Sequence, residues 1–187
     1  VLSSSAVMLF LPEKVNAENS TFYFNRAFEK GNNGDHYGAI SDYTKAIEIN
    51  PSKSAYYNRG WNKAKLKDYY GAISDYTKAI EIDPNFEEAY IIRGNAKSDL
   101  KDYSGAKSDY TKAIEINPQY ESAYYNRGNS KLDLEDYYGA ISDYTKAIEI
   151  NPNYYQAYGN RGITKSDIGD LKGCLLYTSD AADDMFR

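Results

Sequence analysis

Residues that commonly carry out catalysis or bind metals are scarce in this chain of 187 residues. It has one histidine, His36, and one cysteine, Cys174. A single cysteine forms no internal disulfide. Because Cys174 lies in a tail that breaks the sequence pattern, we also expect neither a Cys–His pair nor a thiolate metal site. No phosphate-binding loop, nucleophile elbow or zinc motif occurs. We therefore predict that the chain is not an enzyme and that it uses no metal ion or cofactor.

An excess of basic residues is also missing. The chain has 27 Asp and Glu residues against 22 Lys and Arg residues, which gives a net charge of −5. Binding to nucleic acid needs a basic face that displaces counterions from phosphates. The composition therefore argues against a nucleic-acid partner.

Long apolar runs are absent except at the start. The run VLSSSAVMLFL (1–11) is too short to span a bilayer by itself. It precedes VNA (15–17), which has small residues at the −3 and −1 positions of a cleavage site after Ala17. We predict that residues 1–17 are a truncated, signal-peptide-like segment. The protein would then be exported or envelope-associated, whether periplasmic, lumenal or secreted.

Two alternatives remain open for this segment. One is a truncated membrane anchor, which would be the only membrane contact that we expect. The other is a hydrophobic N-terminal cap on a cytoplasmic protein.

What dominates the chain is repetition. The segment DHYGAISDYTKAIEINP (35–51) recurs with few changes at 68–84, 102–118 and 136–152. A second segment, SAYYNRG (54–60), recurs with the same period. The prolines that end the copies are 33, 34 and 34 residues apart: Pro51, Pro84, Pro118 and Pro152. Self-similarity at a fixed period of this length predicts stacked repeats that bury their faces against their neighbours.

The repeated segment has the periodicity of a helix. Its apolar residues recur at i, i+1, i+4, i+7 and i+8, as in the stripe that runs from Ala72 to Ile80. Each copy ends at Asn-Pro or Asp-Pro, where the residue before proline is forced out of the helical region. A tyrosine in each copy is placed to fill the core: Tyr43, Tyr76, Tyr110 and Tyr144.

The period and the Asn-Pro or Asp-Pro ends of the copies together resemble the tetratricopeptide repeat, a helix-turn-helix unit of about 34 residues. We number each repeat so that its glycine (Gly60, Gly94, Gly128, Gly162) is at position 8. The resemblance implies an all-α, right-handed superhelical solenoid of antiparallel helix pairs, with four full repeats and a partial fifth. It covers residues 18–173, with repeats near 20–52, 53–86, 87–120, 121–154 and 155–173.

Two positions depart from the family pattern in every copy. Position 7 is arginine where leucine is usual, and position 11 is lysine where tyrosine is usual. Both side chains are long enough to cover apolar neighbours while the charge stays in water. The arginines recur together with aspartates at position 23, so we predict a ladder of contacts between packed helices. The pairs are Arg59 with Asp75, Arg93 with Asp109, and Arg127 with Asp143.

The resemblance further implies that the first helices line a concave groove for a peptide or a partner helix. The groove residues expected from the middle repeats are Tyr57, Asn58, Trp61, Ile91, Ile92, Asn95, Tyr125, Asn126 and Asn129. Trp61, the only tryptophan, is expected to stand in this groove; alternatively, it leans on Phe28 and on Ile92 or Asn95. The lysine and arginine of the family's chaperone-tail clamp are missing, which disfavours an acidic C-terminal tail as the ligand.

The predicted function is therefore that of a scaffold or adaptor for a protein or peptide partner. A regulatory or substrate-recruiting module cut from a larger enzyme or from a secretion or assembly machine is the alternative, and self-association is a third possibility. His36 stands where other copies have tyrosine and is expected to be a surface substitution. Residues 174–187 break the pattern and resemble translated adapter sequence; a divergent capping helix is the other interpretation.

Overall fold

A computed structural model describes residues 11–169 of the chain, with side chains from residue 19 onward. This part contains helices and turns and no strand. The helices are α1 (Leu11–Asn32), α2 (His36–Ile49), α3 (Lys53–Lys65), α4 (Tyr69–Ile82), α5 (Glu87–Asp99), α6 (Tyr103–Ile116), α7 (Glu121–Asp133), α8 (Tyr137–Ile150) and α9 (Tyr155–Asp167). The predicted all-α class is confirmed. We call the odd-numbered helices the first helices and α2, α4, α6 and α8 the second helices.

The second helices begin and end as their sequence predicts. Each is preceded by an aspartate whose carboxylate accepts a hydrogen bond from a glycine amide three residues later, as Asp68 does from Gly71 at 3.0 Å. Each ends at an isoleucine. The next residue is the C-cap, which directly precedes proline: Asn50, Asp83, Asn117 and Asn151.

The capping aspartate also explains the repeated glycine. A Cβ atom at Gly71 would lie 2.1 Å from Asp68 Oδ2, and the other three copies are equally close. The carboxylate therefore occupies the space that a Cβ atom would need, so a larger residue at this position would require the carboxylate to shift.

The chain divides into two compact units, one up to Ala89 and one from Tyr90. In the first unit α1 packs on α2 and α3, α2 packs on α3, and α3 packs on α4. In the second unit α6 packs on α7, α7 on α8, and α8 on α9.

Tyrosine and alanine form the cores of both units. The four tyrosines predicted for the core are at most 2% exposed: Tyr43, Tyr76, Tyr110 and Tyr144. Close approach of the helices depends on small residues, because a Cβ atom at Gly60 would lie 2.8 Å from the Tyr76 ring. Burial raises the pKa of the Tyr43 hydroxyl to about 12.

Both predicted terminal segments lie largely outside the described residues. Helix α1 begins at Leu11 and runs through Ala17, the residue after which cleavage is predicted. Residues 1–10, the side chains of residues 11–18, and residues 170–187 with Cys174 are not described. Among the described residues, no helix is both long enough and apolar enough to cross a bilayer.

Candidate functional site

The arginine and aspartate of each predicted ladder pair lie together. Arg59 Nη2 is 2.7 Å from Asp75 Oδ1, and Arg59 Nε donates to Asp75 Oδ2 at 2.9 Å. Such two-point contacts fix the orientation of both groups. The same pairing joins Arg93 to Asp109 and Arg127 to Asp143, each at 2.7 Å.

A lysine completes each pair, which the sequence analysis missed. Lys63 Nζ lies 2.8 Å from Asp75 Oδ2, so one carboxylate serves two cations. The side chains of Arg59, Asp75 and Lys63 are only 15%, 3% and 20% exposed. The expectation that these charges stay in water is therefore corrected: they lie between the packed helices, because the aspartate is buried there and draws both cations inward.

These triads hold the helices in register. The Arg59 guanidinium also donates to Thr44 Oγ1 on α2 at 3.0 Å and lies 5.5 Å from the centroid of the Tyr56 ring. In the first repeat, hydrogen bonding from Arg26 lowers the pKa of Asp42 to about 2. With their polar atoms engaged inside the protein, the triad residues form part of the framework.

The first unit has a cavity on its first-helix side. Its volume is about 190 Å³. Its walls are aromatic rings and amide groups from α1, α2 and α3: Phe28, Gly31, Asn32, Tyr43, Tyr57, Asn58, Trp61 and Asn62. Three predicted groove residues, Tyr57, Asn58 and Trp61, thus lie together around one cavity.

Trp61 is partly buried at the edge of this cavity. Its ring meets the His36 ring edge-on at 5.9 Å, and Lys65 Nζ lies 4.8 Å from its centroid. His36 Nδ1 is 2.9 Å from Asn62 Oδ1, and Asn62 Nδ2 donates to the Asn58 carbonyl oxygen. His36 therefore supports the cavity wall instead of being a simple surface substitution. The one sign of this role in the sequence is that the other copies have tyrosine at the position of His36.

Tyr57 forms the other wall and is held by aromatic contacts. Its ring centroid is 5.1 Å from that of Phe86 and 5.9 Å from that of Tyr76. The cavity thus has aromatic sides with amide groups between them.

In the second unit, the first-helix side carries a network of tyrosines and asparagines. The Tyr110 hydroxyl donates to Asn95 Oδ1 at 2.7 Å, and Asn126 Nδ2 donates to the same oxygen at 3.2 Å. One repeat further, Tyr144 and Asn160 donate to Asn129 Oδ1 at 2.8 and 2.9 Å. The Tyr125 hydroxyl also accepts from Asn160 Nδ2 at 3.1 Å.

A second cavity, of about 300 Å³, lies beside this network. It is lined by Asn95, Ser98, Asp99, Tyr110, Asn126 and Asn129. Ile92 is half-buried, whereas Ile91 is only 6% exposed and belongs to the core around Tyr110. The inclusion of Ile91 in the groove is therefore corrected, since this short branched side chain packs inward.

The hydrogen-bond pattern changes where Trp61 occurs. Trp61 occupies position 9, which is Asn95 and Asn129 in the two following repeats. The Tyr76 hydroxyl is buried and has no hydrogen-bond partner in the described part of the chain. The Trp61 ring thus stands where, in the next two repeats, an asparagine amide accepts a hydrogen bond from the core tyrosine.

No group of three or more His, Cys, Asp or Glu side chains in the described range is arranged to hold a metal ion.

Solved structures of repeat proteins resemble this fold closely. The crystal structure of MamA protein matches with a TM-score of 0.84 and 27% identity, covering 89% of this chain and 91% of that one. YrrB, described as a TPR protein with an unusual peptide-binding site, matches with a TM-score of 0.77 and 22% identity over 91% and 88% of the two chains. The first TPR of Spaghetti (RPAP3), solved with an HSP90 peptide, matches with a TM-score of 0.62 and 27% identity over 63% and 94%.

No curated protein matches the sequence. Family models, by contrast, match along most of the chain. Models described as tetratricopeptide repeat match residues 20–53, 54–86, 122–154 and 143–175, and one described as TPR repeat matches 94–135. With its helix pairs, its period and its structural neighbours in agreement, the chain belongs to the tetratricopeptide repeat family.

Proposed function

We propose that this chain is a protein-interaction scaffold whose first helices bind an extended peptide segment. Arrays of this family are generally non-catalytic interaction modules with extended binding surfaces. The similarity to the TPR of Spaghetti, which was solved with a peptide, supports a peptide or protein partner.

The aromatic cavity of the first unit is the observation that carries the proposal. Trp61 and Phe28 line it, and Phe28 is 51% exposed. Large aromatic side chains at a surface are common anchors of binding energy, especially beside hydrogen-bonding groups. A peptide would place an apolar side chain between these rings, and its backbone would bond to the amides of Asn32 and Asn58.

Trp61→Asn is the sharpest variant to test this. Asparagine is the residue that two other repeats carry at position 9, and it would supply an acceptor to the buried Tyr76 hydroxyl, so the fold should survive. The matched control is Ile82→Asn, at the end of the second helix α4, where the side chain is 48% exposed.

The probe is a set of peptides selected from a random display library on the whole wild-type chain. We expect Trp61→Asn to weaken the affinity for the selected peptides by roughly tenfold or more. Ile82→Asn should change that affinity by no more than about twofold. The alternative site is the ridge of tyrosines on the second helices, where Tyr70 and Tyr138 are 77% and 78% exposed. Affinity that survives Trp61→Asn but falls in Tyr70→Ala and Tyr138→Ala would overturn the proposed cavity. A selection that enriches no peptide would overturn peptide binding itself.

A further inference from the structure

Three aspartates of the second unit lack the structural roles that the other aspartates have. Within residues 19–169, every other aspartate caps a second helix, joins an Arg–Lys triad or pairs with a lysine, as Asp83 does with Lys53. The exceptions are exposed and recur every 34 residues at position 13: Asp99, Asp133 and Asp167. Their carboxylates make no hydrogen bond or ion pair with another described residue.

Their placement costs stability. Each of the three is the last residue of its helix, α5, α7 or α9. A negative charge at a helix C-terminus opposes the helix dipole, whereas the lysine that ends α3, Lys65, complements it. Three repeats thus carry an unfavourable charge that no contact within the described fold compensates. Residues that break a local rule without structural gain are commonly retained for function.

Asp99 and Asp133 lie near the asparagine network, and Asp167 occupies the same repeat position one repeat further on. Asp99 lines the 300 Å³ cavity together with Asn95 and Asn126. Asp99 also contributes to raising the pKa of the Tyr110 hydroxyl, and Asp133 does the same to Tyr144, although burial is the main cause in both tyrosines. The carboxylates of Asp99 and Asp133 therefore lie near the hydroxyls that donate to Asn95 and Asn129.

The asparagine amides remain able to bond to a peptide backbone. Asn95 Oδ1 accepts from both Tyr110 and Asn126, which orients the side chain. The Asn95 side chain lines the cavity, and no hydrogen bond joins its Nδ2 group to another described residue. An extended segment on this face could thus accept from the amides while its side chains reach the carboxylates.

We propose that the first-helix face of the second unit binds an extended peptide segment rich in lysine or arginine. Cationic side chains pair with Asp99, Asp133 and Asp167, and the asparagines bond to the segment's backbone. Charge complementarity selects this occupant, since opposite charges across an interface favour the right partner and like charges reject an acidic one. The inference rests on the proposed peptide-binding function and specifies the chemistry of the partner at this end of the array.

The test compares two triple variants with the same change in net charge. Asp99→Asn/Asp133→Asn/Asp167→Asn neutralises the face. The control is Glu81→Gln/Glu115→Gln/Glu149→Gln, which neutralises three glutamates of the second helices. Each glutamate pairs with a neighbouring lysine, and the three are exposed to a similar extent. The probes are three synthetic unstructured peptides that are identical except for lysine, glutamine or glutamate at alternate positions. Affinity is measured by fluorescence anisotropy, and occupancy by NMR shifts of the Asn95, Asn126 and Asn129 side-chain amides.

We expect the lysine peptide to bind the wild-type chain at least about tenfold more tightly than the glutamate peptide. The aspartate triple variant should lose about tenfold in affinity for the lysine peptide, and the glutamate triple variant about twofold or less. The aspartate variant should also melt a few degrees higher, because an unfavourable charge leaves each helix end.

Equal losses in the two variants would reduce the effect to overall charge and overturn the proposal. So would amide shifts of equal size with all three peptides, although peptide binding itself would then stand. If no peptide shifts these amides while display-selected peptides still bind through Trp61, only the inference about this face fails. If neither occurs, the proposed function fails as well.

Discussion

The Tyr110 hydroxyl donates a 2.7 Å hydrogen bond to Asn95 Oδ1, and this bond joins the second helix of a repeat to its own first helix. Tyr144 and Asn129 repeat the arrangement at 2.8 Å. Tyr76 is buried in the same way but has no such partner in the described structure, because Trp61 stands where the asparagine would be.

Removing the hydroxyl should therefore have opposite effects at these sites. We expect Tyr76→Phe to raise the free energy of unfolding by about 1 kcal/mol, since it removes a buried donor without a partner. Tyr110→Phe and Tyr144→Phe should each lower it by about 1 kcal/mol, since they remove a made hydrogen bond. Urea unfolding of the three variants measures this. A similar loss in all three would show that the Tyr76 hydroxyl is satisfied in solution.

The triads predict a large cost for losing a single carboxylate. Asp75→Asn leaves Arg59 and Lys63 sheltered from water without their shared anion. We expect the free energy of unfolding to fall by about 3 kcal/mol. Glu81→Gln, which breaks an exposed pair with Lys78, should cost far less than Asp75→Asn. A cost below about 1 kcal/mol for Asp75→Asn would mean that the cations turn to solvent.

Acid should weaken the first repeat through Asp42. Arg26 holds the pKa of Asp42 at about 2, below the ordinary value of 3.8. A depressed pKa contributes stability above the unfolded pKa and loses it as the pH falls through the folded pKa. The contribution, about 2 kcal/mol, should thus be complete at neutral pH and vanish between about pH 4 and pH 2.

The measurement is the difference in unfolding free energy between the wild-type chain and Asp42→Asn as a function of pH. It should shrink as the wild-type carboxylate becomes protonated. A difference that stays constant down to about pH 2 would contradict the assignment.

The export prediction can be tested by expression behind a complete secretory start. We expect a mature chain that begins at Glu18, as read by N-terminal sequencing. Because α1 continues through Ala17, cleavage should precede folding of this helix. Retention of residues 1–17 in a membrane fraction would support an anchor, and retention in soluble protein would support a hydrophobic cap.

Sequence periodicity predicted the features that every repeat shares. The ends of the second helices, the buried tyrosines and the joining of Arg59 with Asp75 all follow from residues that recur at one spacing. A lysine recurs at the position of Lys63 as well. However, a long cationic side chain can lie either in solvent or between helices, so the spacing of this lysine did not reveal that it belongs to the triad.

Features that depend on a single repeat were harder to predict. Ile91 and Tyr57 share position 5, yet only the isoleucine packs into the core, because side-chain size decides the outcome there. The support that His36 gives to Asn62 and Trp61 joins residues with no counterpart in other copies, so no recurrence reveals it.

The capping aspartate and the glycine beneath it constrain the order in which this sequence can change. Replacing Gly105 by alanine first drives a Cβ atom to within 2.1 Å of Asp102 Oδ2 and disrupts the cap. Replacing Asp102 by alanine first costs the cap, about 1 kcal/mol, after which alanine at 105 recovers a similar amount through its higher helix propensity. We therefore expect the effects of the two substitutions to depend on each other, because alanine at position 105 meets the carboxylate only while the aspartate is present. Each residue of the Asp–Gly pair thus constrains how the other can be replaced in a lineage of such repeats.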